Sequence, residues 1–170
     1  MARKKSSEIY QKIAEDIKII LSNKNHSEEE VKAHKQLYYD CLHKATNMYS
    51  GFISKAALEL RKSKKKPTLD HALGRYKLYS HGVDMTLDGW NVGQVRNFFM
   101  DKNFIILVAP EENKALERFQ KSNRDWITYE EYISVTGVLY KLPKGGRWWK
   151  AKLDETGEAR QLFDMHSYYK

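Results

Sequence analysis

Apolar residues return at helical spacing from the start of the chain. Ile9, Ile13, Ile17 and Ile20, with Leu21, predict a helix over residues 7–22 with Ser7 as its N-cap, and polar residues 23–27 break the pattern. Ser27 followed by Glu30 has the spacing of a capping box and predicts a second helix. Its apolar positions run through Val31, Leu37, Cys41, Leu42, Met48, Phe52 and Ile53 to Ala57 and Leu60, with a bend or break at Gly51. The first third of the chain therefore reads as a helical hairpin.

The pattern then changes. Residues 61–67 are a cationic run that ends at Pro67, where any helix must stop. Residues 68–73 suit a short strand and turn, and residues 92–100 a helix with Val95, Phe98 and Phe99 on one side. Residues 103–108 (Asn103 and then an unbroken apolar run) read as a buried strand. Pro110, Glu111 and Glu112 suit the first turn of a helix that continues to Lys121, with Leu116 and Phe119 packing. Thr128 and Glu131 form another capping-box spacing and open a short helix that ends near Gly137. Residues 138–142 and 147–153 flank a Pro143-Lys144-Gly145-Gly146 turn and read as a β-hairpin, and the tail is polar with scattered aromatics. The expected class is α+β, divided as a helical region 1–61, a core 62–122, and a short helix with a basic hairpin over 123–170.

Charge adds the first functional hint. Thirty Lys and Arg against 22 Asp and Glu leave +8 over 170 residues. An excess of that sign suits a polyanion, most often nucleic acid. Two clusters concentrate it. Arg61, Lys62, Lys64, Lys65 and Lys66 directly precede Asp70, and the hairpin over 140–152 carries Lys144, Arg147, Trp148 and Lys150 with no acid among them. Cations interleaved with aromatics suit groove or single-strand contact. Cys41 is the single cysteine, so neither an internal disulfide nor a cysteine-built structural zinc site is expected. No apolar run approaches a membrane span and no secretory signal is read, so a cytoplasmic, DNA-associated protein with no membrane partner is expected.

Three pieces can carry chemistry: Asp70-His71, Asn103 ahead of its strand, and Glu111-Glu112-Asn113 at a helix start. Phosphodiester hydrolysis needs a cation to stabilise charge on the phosphate and a base to activate water near neutral pH. Asp70 supplies a hard oxygen and Asn113 a neutral one, while the adjacent His71 points to the opposite side of an extended segment. The Asn103 amide can tie the loop carrying His71 to the strand. His81 is a runner-up for the base. His26, His34, His43 and His166 show no metal-binding spacing, and no phosphate-cradling glycine loop or serine elbow is present.

Asp70-His71, Asn103 before its apolar strand, and Glu112-Asn113-Lys114-Ala115-Leu116 together resemble the HNH endonuclease family in its ββα-metal form, specifically the phage type. The resemblance spans residues 66–119. It implies a DNA endonuclease that uses Mg²⁺ or Mn²⁺; one such site cuts one strand, which suits nicking, and double-strand cleavage would need a dimer or two successive events. His71 would be the general base, Asp70 and Asn113 the metal ligands, and Asn103 the orienting residue. Two departures are plain: the last position is Asn rather than His, and residues 72–102 form an insertion that brings Arg75, Lys77 and Arg96 as further cations for DNA. Two other classes fit the charge. One is a nuclease-derived protein that binds DNA without cutting it, and the other a helical protein-interaction module. The first needs no divalent ion, and the second shows no steep salt dependence on DNA. Monomer and homodimer both remain open.

Overall fold

The apolar run that follows Asn103 becomes an interior strand, as its unbroken hydrophobicity requires. A computed structural model describes residues 2–22, 27, 29, 30, 33, 49–122, 126–143 and 151–164. In chain order the elements are α1 (Ala2–Ser22), β1 (Tyr49–Ser54), α2 (Lys55–Lys62), β2 (Thr68–His71), α3 (Arg75–Leu87), α4 (Val92–Lys102), β3 (Ile105–Val108), α5 (Pro110–Ser122), α6 (Tyr129–Thr136), β4 (Leu139–Lys141), β5 (Lys152–Leu153) and α7 (Glu158–Phe163). The chain is mixed α+β. It divides into two units, Met1–Met48 with Gly74–Asn103, and Tyr49–Leu73 with Phe104–Lys170.

The first unit is helical. One stripe of α1, formed by Tyr10, Ile13, Ala14 and Ile17, is buried, and α1 packs on α4, which buries Val95, Phe98 and Phe99. The Tyr10 and Phe99 rings lie 6.2 Å apart. Helix α3 packs on α4 through a close approach at Gly82, where a methyl group would overlap the Phe99 ring. Asn91 and Gln94 cap α4 reciprocally. Ser27 and Glu30 make the expected reciprocal contacts, the Ser27 amide donating to Glu30 at 2.8 Å and the Glu30 amide to Ser27 at 3.3 Å. Most of the helix anticipated beyond them lies outside the described residues.

The second unit is a five-stranded sheet in the order β2-β3-β1-β4-β5. β1 runs parallel to β3, and the other pairs are antiparallel. The helix expected across residues 49–54, bent or broken at Gly51, is corrected here to a strand. The bulged β1–β3 register accommodates Gly51 at φ +88, and Ser54 caps a new helix by accepting the Ala57 amide at 3.1 Å. Pairing on both sides overrides a spacing that is equally compatible with a helix.

The two faces of the sheet are covered differently. Helix α2 lies on one, where Ala57 and Leu58 join Ile53 and Leu107 in a core cluster. On the other, Phe52, Ile106, Val108 and Leu139 are buried and α5 and α6 supply cover. The strand at 68–71, the strand ending at Val108, the helix from Pro110 and the helix from Thr128 follow the sequence expectation. So does the hairpin pairing of Tyr140 with Leu153, although its turn lies outside the described residues. Two helices had no clear signal in the sequence. The apolar residues of α3 are scattered and its N-cap, Gly74, makes no side-chain bond. In the polar tail, α7 is started by the Asp154 carboxylate, which accepts the amides of Glu158 at 2.9 Å and Ala159 at 2.6 Å.

Candidate active site

β2 is an edge strand, and its register with β3 decides which way each side chain faces. Leu69 pairs with Leu107, Asp70 with Ile106 and His71 with Ile105. Alternation puts Leu69 and His71 on one face and Asp70 on the other, beneath α5 and α6. Exposure follows: Leu69 is 57% exposed, His71 is half-buried and Asp70 is 6% exposed. Strand β3 leads through Ala109 directly into α5. Its first turn is fixed by Glu112, whose carboxylate accepts the Ala109 amide at 2.7 Å and the Ser54 hydroxyl. β2, β3 and α5 therefore form a ββα arrangement in which α5 packs against β2.

Asp70 is held by a hydroxyl: the Tyr132 Oη donates to its Oδ2 at 2.8 Å. Burial pushes the Asp70 carboxyl up to about 6, the Tyr132 hydrogen bond partly offsets this, and the charge of Glu117 adds to the rise. Burial, then the charge and hydrogen bond of Asp70, then the charge of Glu112 hold the Tyr132 phenol well above its ordinary range, so it remains a donor. Asn113 lies one turn before Glu117 on α5, and its Nδ2 donates to Glu117 Oε1 at 2.9 Å. With nitrogen facing that carboxylate, the Asn113 carbonyl oxygen is turned away from it. Glu117 thus bonds Asn113, and its charge is felt at Asp70. Sequence reasoning missed it, although its position four residues after Asn113 carried the signal. Tyr132 had no such signal, because only tertiary packing brings α6 to β2.

Mg²⁺ and Mn²⁺ take hard oxygens, commonly one or two carboxylates completed by water and phosphate. Asp70, Asn113 and Glu117 supply that chemistry. Among the described residues no three His, Cys, Asp or Glu side chains group as a metal site, and the candidate donors are a mixture of carboxylate and amide. By donor type alone, these are oxygens of the kind a hard divalent cation takes.

The remaining residues are distributed as follows. Asn103 belongs to the helical unit, where it ends α4 and its Nδ2 donates to the Tyr10 Oη at 2.8 Å. This bond ties α4 to α1. Arg75 opens α3 in the same unit. His81 also lies there, 5.3 Å from the Phe98 ring, and burial lowers its pKa against the opposing effects of Asp84 and Asp88. Lys62 ends α2 and Lys64, Lys65 and Lys66 follow it before β2; all four are exposed, and Lys62 pairs with Glu59. Lys144, Arg147, Trp148 and Lys150 lie outside the described residues. No helix among the described residues is long and apolar enough to cross a membrane. Comparison with protein-family models, curated proteins and solved structures returns no match.

Proposed function

We propose that this protein is a metal-dependent DNA endonuclease of the HNH kind. The observation that carries the reading is the antiparallel β2–β3 pairing followed at once by α5. It sets Asp70 and His71 on opposite faces of one edge strand and brings Glu117, the partner of Asn113, within electrostatic reach of Asp70. In this reading Asp70 and Asn113 supply oxygens to Mg²⁺ or Mn²⁺. The ion, when bound, stabilises negative charge on the phosphate and the departing oxygen. The imidazole of His71 takes a proton from water as the water oxygen bonds to phosphorus and the P–O bond to the leaving group breaks. The exposed lysines from Lys62 to Lys66, which lead into β2, neutralise DNA phosphates beside the reacting one. The bond from Asn103 to Tyr10 supports a structural role, so Asn103 is given no step in the chemistry.

A second reading rests on one observation. The Tyr132 hydroxyl holds Asp70 in a largely buried position, as it would in a nuclease-derived protein that binds DNA without cutting. Supercoiled plasmid separates the two. The endonuclease reading expects nicked circles to accumulate with Mg²⁺ or Mn²⁺ and to stop at once when chelator is added. DNA binding that needs no divalent ion and leaves the plasmid intact would select the second reading.

A further inference from the structure

Tyr132 lies beyond the 62–122 segment to which the motif confines the chemistry, yet its hydroxyl ends on that segment's buried carboxylate. The ring is fully buried, at 0% exposure. It packs 5.0 Å from the Phe163 ring, and its own backbone oxygen accepts the Thr136 hydroxyl at 3.0 Å. The start of α6 is fixed by the reciprocal Thr128–Glu131 cap. The ring is thus packed on Phe163, and the helix that carries it is capped, before its O–H is considered. A carboxylate on a strand rotates readily about its terminal torsion unless something holds one oxygen. Here Oδ2 is held, which fixes the plane and leaves Oδ1 for another partner.

We propose that Tyr132 is a positioning residue whose hydroxyl fixes the rotation of the Asp70 carboxylate and so presents Oδ1 to the divalent cation. The inference rests on the endonuclease reading and extends its machinery to α6. Outer partners of this kind orient a ligand without touching the ion, and their loss typically costs about 10–100-fold in metal affinity.

The test is direct Mn²⁺ binding to the full chain, read in the cold by electron paramagnetic resonance without DNA, with circular dichroism as the check on folding. Tyr132→Phe keeps the ring and removes only the donor. Thr136→Ala removes a buried hydroxyl on the same helix that is bonded to backbone rather than to Asp70. The expected result is saturable Mn²⁺ binding by the wild type, an affinity about tenfold lower or worse in folded Y132F, and wild-type affinity in T136A. Equal affinity in Y132F overturns the inference and leaves the endonuclease reading standing. A Y132F chain that is unfolded in the cold, or an equal loss in T136A, marks the hydroxyl as structural and also overturns it. A wild type that binds no Mn²⁺ leaves Tyr132 no ion to position and overturns the inference, while the plasmid assay decides the endonuclease reading separately.

Discussion

Asp70 concentrates the residue-scale physics. Its carboxyl titrates at about 6 in the fold against an ordinary value of 3.8, mainly because burial disfavours the charged form. Between those values the folded chain holds a proton that the unfolded chain has released. Stability therefore falls as pH rises through that window, and the cost is fully present above about 6. In chelated buffer, Asp70→Asn is expected to raise the unfolding free energy near neutral pH by on the order of 2–3 kcal/mol. The margin should close as pH falls toward 3.8. Urea titrations at several pH values check this, and a variant that is less stable than wild type at neutral pH would contradict it. A carboxylate that costs stability where it sits is characteristic of a functional group. Asp70, His71 and Asn113 were legible as candidates because their chemistry and order are written in the chain. Tyr132 was not, because a residue's partner across 62 positions of sequence is chosen by packing, whereas Glu117 had a signal only in its spacing from Asn113.

At the scale of elements, the link from α2 to β2 couples structure to charge. Lys65 N donates to Leu60 O at 2.8 Å and Lys64 N to Arg61 O at 3.0 Å, the paired bonds of a Schellman ending. Lys64 occupies the left-handed position at φ +58, where glycine is usual. A side chain there costs about 1–2 kcal/mol, partly offset by the greater unfolded-state freedom of glycine. Lys64→Gly is accordingly expected to stabilise the fold by about 0.5–1 kcal/mol. The same change should reduce the slope of log affinity against log salt on DNA by about 1 if Lys64 meets a phosphate. Melting curves and salt titrations read the two effects separately, and an unchanged slope removes Lys64 from the interface. Elements with local signals were legible: the capping boxes at Ser27, Asn91 and Thr128 are all formed, two of them anticipated from spacing. Strand β1 was not legible because Phe52 and Ile53 continue a helical spacing, and only pairing with β3 and β4 decides otherwise. Helix α3 escaped notice because its buried residues are interspersed with polar ones.

For the whole molecule, chain order and spatial grouping differ. Most of the insertion after β2, Gly74 onward to Asn103, belongs with the N-terminal helices, whereas Leu73 and Phe104 on either side of that stretch belong to the sheet unit. The insertion leaves and returns between two strands that pair antiparallel, so the ββα order survives a long interruption. The order strand, strand, helix read from the sequence is thus kept, with a helical segment between the two strands. The charge of +8 bears on partner class alone, since a binder and a nuclease need the same field. What separates them is whether His71 acts on water. The most direct measurement is the rate of Mg²⁺-dependent plasmid nicking by wild type and by His71→Ala at matched DNA occupancy. A loss of about 100-fold or more is expected in the variant, with DNA affinity retained. Full nicking by His71→Ala, or none by the wild type, would contradict it.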